Sequence, residues 1–349
     1  MAGFQRDKSN EIGGSGVGEA DLQAEQLREV ITGGWRTRLI DDGVRSGLID
    51  ALGAGPRSVD ELAQELGLHA ETVLRVLRAL ATFGLCEHVS PRAFAATPLG
   101  MRLRKDAPNS MRGVALHWGG RTMASLETVG QTLETGEPGR GNGNFAALIA
   151  DPVEGDIFYR AMAEQSLPVA RALVEGYDFS GFDCVMDVGG GYGAVLAEIL
   201  RACPSLEGAV YDLEGVSAGA RRYLDETGIG ARAGFEPGSF FDAVPRKADC
   251  LVLKYILHDW SDPEVATIMA NCRQALEPGG KVVVIEKLLP EIVGPADESV
   301  VRSDLVMMPI NGKERTLAEY RQIAADAGFA FCREVTLIDD CSAIELEAV

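Results

Sequence analysis

Four histidines are spread over the 349 residues of this chain, and one of them, His258, follows the apolar run LVLKYIL and is followed at once by Asp259 and Trp260. An imidazole has an ordinary pKa of about 6.5, so it can accept a proton near neutrality. Two acids lie further along, Glu286 at the end of VVVIEK and Glu314 in NGKERT. A carboxylate beside an imidazole fixes its tautomer and stabilises the imidazolium that forms when it takes a proton. Such a group suits an attacking hydroxyl. A phenol, with a pKa of about 10, is mostly protonated at pH 7 and needs a base to become a nucleophile. Taken alone, His258 also fits a plain strand end at which the ring bonds a local carbonyl.

A second constellation is VMDVGGGYGA, in which strand, glycines and helix follow one another. Glycines allow positive φ and close approach of a ligand to backbone amides. Gly189, Gly191 and Ala194 satisfy the dinucleotide pattern, and Asp212, at the end of the next apolar run, is placed to bind both hydroxyls of a ribose. Either a nicotinamide or an adenosyl cofactor offers that ribose. Asp187, just before the glycines, tilts the choice: it would repel a diphosphate and welcome an ammonium or an amino-acid tail. The turn also begins past the middle of the chain, behind a long helical region.

These residues need elements that bring them together. From Phe182 onward short β-rich runs alternate with helical stretches (DCVMDVGGGYG, LEGAVYDLEG, KADCLVLKYIL, KVVVIEKLLP), which predicts a parallel sheet with helices on both faces. In such a sheet ligands sit beyond the carboxyl ends of the strands, so His258, Glu286 and Glu314 are expected to face one crevice. SDPE and TLAE read as capping boxes, Ser261 with Glu264 and Thr316 with Glu319. The last two β-rich runs are expected to be antiparallel. Before Phe182 the chain reads as helical over 21–55 and 151–177, with a loop at 136–143. The order helix, glycine turn, helix and strand over SVDELAQELGLHAETVLRVLRALATFGLCEHV resembles a winged helix-turn-helix.

Composition bounds the function. A net charge of −19 speaks against a nucleic-acid or anionic-membrane partner. Residues 46–105 hold seven Lys/Arg against six Asp/Glu, without a basic stripe, so the helix-turn-helix-like segment is read as a dimerisation element rather than a DNA reader. No apolar run approaches the roughly 20 residues that cross a bilayer. The Gly/Ser-containing N-terminus has no apolar signal core, and the seven cysteines have no CxxC spacing; these predict a cytoplasmic protein without a disulfide framework or metal site.

VMDVGGGYG, GSFFDAVP, LKYILHDWSD, EPGG, VVVIEKLLP and NGKERT, in that order, resemble the S-adenosylmethionine-dependent O-methyltransferases, within them the group spanning plant caffeic-acid-type enzymes and bacterial enzymes that tailor natural products. The resemblance covers nearly the whole chain. It implies a seven-stranded Rossmann-like catalytic α/β domain over 181–349, a helical winged-helix-like dimerisation domain over 21–105, a helical connector over 106–180 that helps build the acceptor pocket, and a flexible tail over 1–20. It implies S-adenosylmethionine as cofactor, an aromatic small molecule as substrate, and a homodimer formed through the N-terminal domain. His258 is then the general base flanked by Glu286 and Glu314. The cofactor lies against Asp187, Gly189, Gly190, Gly191, Asp212, Leu213, Ser239, Phe240 and Lys254. Asp259, Met162, Phe158, Trp118, Met307 and Met308 are the acceptor contacts. Ser239 departs from the family pattern, which often has aspartate there near the adenine. Two rivals are a nicotinamide oxidoreductase, which gives the His–Glu–Glu set no role, and a methyltransferase fold that has lost methyl transfer.

Overall fold

The computed structural model describes residues 19–53, 55–139, 145–338 and 340–349. Residues 1–18 of the expected tail and 140–143 of the expected loop lie outside the described residues, and the first helix, Glu19–Thr32, begins inside the segment read as tail.

Three short strands, β1 (Arg57–Ser58), β2 (Cys86–Ser90) and β3 (Ala93–Ala96), form an antiparallel sheet in the order β1-β3-β2. They flank two helices, Val59–Leu66 and Ala70–Thr82. Ser58 opens the first with a complete capping box to Glu61, and Gly67 closes it in the left-handed region. Leu48, Leu52, Leu62, Leu77, Leu80 and Phe94 belong to a hydrophobic core separate from the two that cover the larger sheet.

That sheet has seven strands: β4 (Cys184–Val188), β5 (Glu207–Asp212), β6 (Ala233–Pro237), β7 (Cys250–Lys254), β8 (Lys281–Lys287), β9 (Phe329–Ile338) and β10 (Cys341–Ala348), in the order β6-β5-β4-β7-β8-β10-β9. The first five are parallel. Their apolar runs are buried on both faces. Val185, Val210, Val252 and Val283 pack with the helix Pro152–Gly176 and the helix Ala194–Ala202 on one side. Met186, Leu251, Leu253, Val282 and Val284 pack with the helices Asp262–Ala275 and Leu317–Asp326 on the other. Continuous apolar sequence rather than alternation is what two covered faces require.

The terminal strands pair antiparallel, as expected, but β10 is inserted between β8 and β9 and runs antiparallel to both. The burial patterns explain the order. β10 is buried along nearly its whole length, whereas β9 is exposed at several positions and lies at the edge.

The chain enters at β4, winds out through β5 to β6, and returns to β7 on the other side of β4. The carboxyl ends of β4 and β7 therefore diverge at a switch point, where an open α/β sheet leaves a crevice. The turn after β4 carries the glycines and the turn after β7 carries His258.

Candidate active site at the carboxyl edge of the sheet

The turn after β7 begins with a backbone kink. Tyr255, the first residue after β7, has φ of 56°, a conformation an aromatic residue rarely takes. Its N–H still donates to the Ile285 carbonyl at 2.9 Å, so the ladder ends there and the chain turns away. The ring is held between the Lys254 ammonium, 3.7 Å from its centroid, and the His258 imidazole, stacked at 5.3 Å. His258 then sits in the single 3₁₀ turn Leu257–Asp259, buried, just before the helix that Ser261 and Glu264 cap.

The three expected groups converge. His258 Nδ1 lies 2.8 Å from Glu314 Oε1 and 3.6 Å from Glu286 Oε2, and both glutamates are buried. An ionised carboxylate only accepts, which places a proton on Nδ1. Glu286 also holds the backbone of the turn, because its Oε1 accepts from the N–H groups of Ile256 (3.1 Å), Leu257 (2.8 Å) and His258 (3.4 Å). Glu314 is oriented in turn by the Ser303 hydroxyl, which donates to Oε1, and by its own N–H, which donates to Asp304 Oδ1 at 2.9 Å. Asp259 Oδ1 lies 3.6 Å from His258 Nε2. Burial pulls the imidazole pKa down, but the charges of Glu286, Glu314 and Asp259 outweigh it and hold His258 well above its ordinary value. Burial also raises Glu286, and pushes Asp259 up to about 6.

The ligand atoms of His258, Glu286 and Glu314 lie within 4.8 Å of one another, close enough to gather round a cation. Two of those groups already serve as hydrogen-bond acceptors for the turn and for the ring. That is the arrangement of an oriented imidazole.

The glycine turn has the shape expected. Gly189, Gly191 and Gly193 have φ of 70°, 57° and 82°. A side chain on Gly190 would run into the Asp187 carboxyl, and one on Gly189 into Ile256. Phe240 Cε1 would lie 3.4 Å from a Cβ on Gly189, so its ring sits beside the turn. Asp212 accepts from the N–H of Gly191 at 2.8 Å and of Leu213 at 2.7 Å, which ties β5 to the turn. Ser239 Oγ accepts from the Phe241 N–H at 3.2 Å, and Asn271 donates to the carbonyls of Phe240 and Phe241. The serine is thus engaged with its own loop.

The charges of this region tell what it would hold. Burial pushes Asp187 up to about 7 and Asp212 up to about 6, and Asp187 Oδ2 is buried without a partner among the described residues. Lys254, itself buried, is pushed down to about 8 and donates to Ser166 Oγ at 2.8 Å. Buried carboxyls with raised pKa values lack a cation. S-adenosylmethionine brings one on its sulfonium and one on its ammonium, together with a ribose diol for Asp212. The donors and acceptors fit that molecule and would oppose a diphosphate next to Asp187.

The acceptor candidates come from helices. Phe158 and Met162 lie half-buried on the helix Pro152–Gly176, which Ser166 pins to Lys254. Phe158 joins a run of rings: His117 at 5.5 Å, Phe145 at 5.9 Å, then Trp260 at 5.7 Å from Phe145 and Phe240 at 5.9 Å from Trp260. This run links the helices that carry His117, Phe145 and Phe158 to Trp260, just after His258, and to Phe240. Trp118 opens a π-helical turn, Trp118–Thr122, whose Gly119 lies flush against the buried Asp41. The Arg302 guanidinium sits 5.8 Å from the Trp118 ring centroid, on the same helix, Glu298–Met307, that carries Ser303. Met307 and Met308, both half-buried, end that helix.

Sequence reasoning missed Ser166, Tyr255, Ser303, His117 and Arg315. Arg315 directly follows Glu314 in NGKERT, and an arginine next to a capped helix start was the available signal. The others are recognisable only once distant elements meet.

A sequence profile of the O-methyltransferase domain matches residues 132–330, and one of a DprA winged helix domain matches residues 37–90. The phenazine O-methyltransferase PhzM of Lysobacter antibioticus is 34% identical over 328 residues, 93% of this chain and 96% of that one. A crystal structure of an O-methyltransferase from neocarzinostatin biosynthesis, in complex with S-adenosyl-L-homocysteine and 1,4-dihydroxy-2-naphthoic acid, is 31% identical, covers 90% of this chain and 96% of its own, and superposes with a TM-score of 0.74. The aclacinomycin 10-hydroxylase RdmB of Streptomyces purpurascens is 33% identical over 316 residues, 86% of this chain and 84% of that one. With the site geometry, these likenesses place the chain in the S-adenosylmethionine-dependent O-methyltransferase family.

Proposed function

We propose that the chain methylates a phenolic hydroxyl of an aromatic natural-product intermediate, with His258 as the general base. The observation that carries this reading is the buried imidazole bonded through Nδ1 to Glu314 and flanked by Glu286, at the crevice beside the glycine turn. The phenazine O-methyltransferase and the naphthoate-bound relative support an aromatic acceptor.

Asp187, the glycine turn, Asp212, Phe240 and Lys254 would hold the cofactor. When bound, S-adenosylmethionine supplies a methyl on a sulfonium, already a good leaving group. The chain's own residues then align the hydroxyl and remove its proton. Phe158, Met162, Trp118, Met307 and Met308 offer rings and thioethers to a flat apolar acceptor, and Asp259 offers it a hydrogen-bond acceptor. His258 Nε2 takes the proton as the oxygen attacks, while Nδ1–H stays on Glu314 and the carboxylates stabilise the imidazolium. Because those carboxylates raise the pKa of the ring, Nε2 must be free of its proton before it can act as base. Positioning is worth about 7–11 kcal/mol at best, and a base roughly 10²–10⁴-fold.

The 10-hydroxylase among the relatives is the second reading, a methyltransferase fold with other chemistry. The His258–Glu314–Glu286 set favours methyl transfer, since it gives a hydroxyl the base it needs. A panel of phenolic precursors with isotope-labelled S-adenosylmethionine, read by mass, tests this: label on oxygen supports it, and no labelled product across the panel overturns it.

The dimer and the compartment belong to the same proposal. The helix Glu19–Thr32 buries no side chain, and Leu22, Leu27, Val30 and Ile31 are 56%, 59%, 78% and 72% exposed. A second copy of the chain, meeting this helix with its own, would cover them. Light scattering should give twice the 37.2 kDa of one chain. The seven cysteines are all free, which supports a reducing cytoplasm; among the described residues no helix is long and apolar enough to cross a membrane.

A further inference from the structure

We infer that Arg315 is a positioning residue for the reaction, acting as a guanidinium clamp that holds the His258 turn in its working geometry; this rests on the function proposed above. Its side chain is 0% exposed, an unusual place for a charge unless its donors are used. They are. Nη1 donates to the Leu257 carbonyl at 2.8 Å, and Nη2 to the Trp260 carbonyl at 2.8 Å. Those two carbonyls bracket His258 and Asp259. Nη2 and Nε also pair with Asp262 Oδ1, at 2.8 and 3.1 Å.

The turn needs such a clamp because neither strand nor helix satisfies it. The 3₁₀ turn satisfies only part of it: the N–H groups of Asp259 and Trp260 donate to the carbonyls of Ile256 and Leu257 at 3.2 and 3.4 Å, which leaves the N–H groups of 256–258 and the carbonyls of His258 and Trp260 to other partners. Glu286 takes the N–H groups of 256, 257 and 258. On the opposite side of those peptides, Arg315 and the Lys313 N–H (2.8 Å to the His258 carbonyl) supply the donors. Gly312 lets this loop come so close: a Cβ there would lie 2.2 Å from the His258 carbonyl oxygen. One acid and one base thus fix the two sides of the turn. A planar fork does this and an ammonium does not, since lysine is a point donor that cannot span both carbonyls.

The test uses the full chain and two phenols that the wild type methylates, one with an ordinary pKa and one bearing electron-withdrawing groups so that it is already ionised at the assay pH. Arg315→Lys is compared per active site, counted by titration with S-adenosylhomocysteine. The clamp predicts S-adenosylhomocysteine affinity within about threefold of wild type and turnover of the ordinary phenol down roughly a hundredfold, as a displacement of about 1 Å can cost. The ionised phenol needs no base, so its loss should fall below about tenfold. Equal losses on the two phenols would assign Arg315 to stability alone, and no loss on either would remove it from the site; both overturn the inference. Should Arg315→Lys fail to bind S-adenosylhomocysteine, Asp262→Asn loosens the same guanidinium from its outer side and must show the same inequality between phenols, in smaller measure. A wild type that methylates no phenol of the panel would instead sink the functional reading on which the inference rests.

Discussion

The two walls of the crevice are built differently. The wall proposed to carry the base and the cofactor stands on strand ends and is locked by buried charge: Glu286 and Glu314 around His258, Asp212 on the glycine turn, Lys254 against Ser166 and the Tyr255 ring. The proposed acceptor wall stands on helices and is made of rings and thioethers, most of them half-buried, with one charge–ring contact between Arg302 and Trp118. Chemistry common to a family needs fixed atoms, which a sheet edge with satisfied polar groups provides. Choice among acceptors needs a surface whose shape can change without disturbing those atoms, and apolar contacts on separate helices allow that.

Substitutions should divide along the same line. The largest effect is expected for His258→Ala: turnover falls roughly a hundredfold or more with S-adenosylmethionine affinity near wild type, measured by single-turnover kinetics and calorimetry. Next, Asp212→Ala should weaken cofactor binding about ten- to hundredfold, because a charged acceptor for the ribose and for two backbone N–H groups is lost; an unchanged dissociation constant would remove Asp212 from the cofactor wall. Phe158→Ala, on the other wall, should raise KM for the acceptor several-fold and leave cofactor affinity alone. If it weakened the cofactor as much as Asp212→Ala does, the two walls would not be separable.

The smallest expected effect is one of stability. Asp187 has a folded-state pKa of about 7 against an ordinary value of 3.8. Its contribution therefore favours the fold below the ordinary value and is lost as pH rises through 7. Asp187→Asn should raise the melting temperature of the cofactor-free chain at pH 8 and lose that advantage near pH 4, while weakening S-adenosylmethionine. A melting temperature that drops at pH 8 would show that the carboxylate is satisfied without a ligand.

What could be read from the sequence follows this division too. The parallel sheet, the glycine turn and the meeting of His258 with Glu286 follow from apolar runs ending in polar residues, a local signal that topology converts into proximity; Glu314 joins them from the polar segment before a capped helix. The insertion of β10 was not legible, because the burial that puts it inside and leaves β9 at the edge is set by the helices covering them. Nor was the left-handed Tyr255, whose ring packs with the Lys254 ammonium and the His258 imidazole. Arg315 shows the same limit most plainly. Its neighbour Glu314 could be assigned from the motif, but two of the arginine's partners are backbone carbonyls, which any residue carries and no sequence marks, and the third is Asp262, 53 residues away.

The central claim is that the imidazole of His258 takes the acceptor's proton, and the pH dependence of kcat/KM with an acceptor of ordinary pKa tests it most directly. The neutral ring is the active form, and the surrounding acids raise its pKa, so activity should be lost as pH falls through a midpoint above 6.5. In His258→Ala the residual activity should lack that limb. The same limb, with the same midpoint, in the alanine variant would contradict the account.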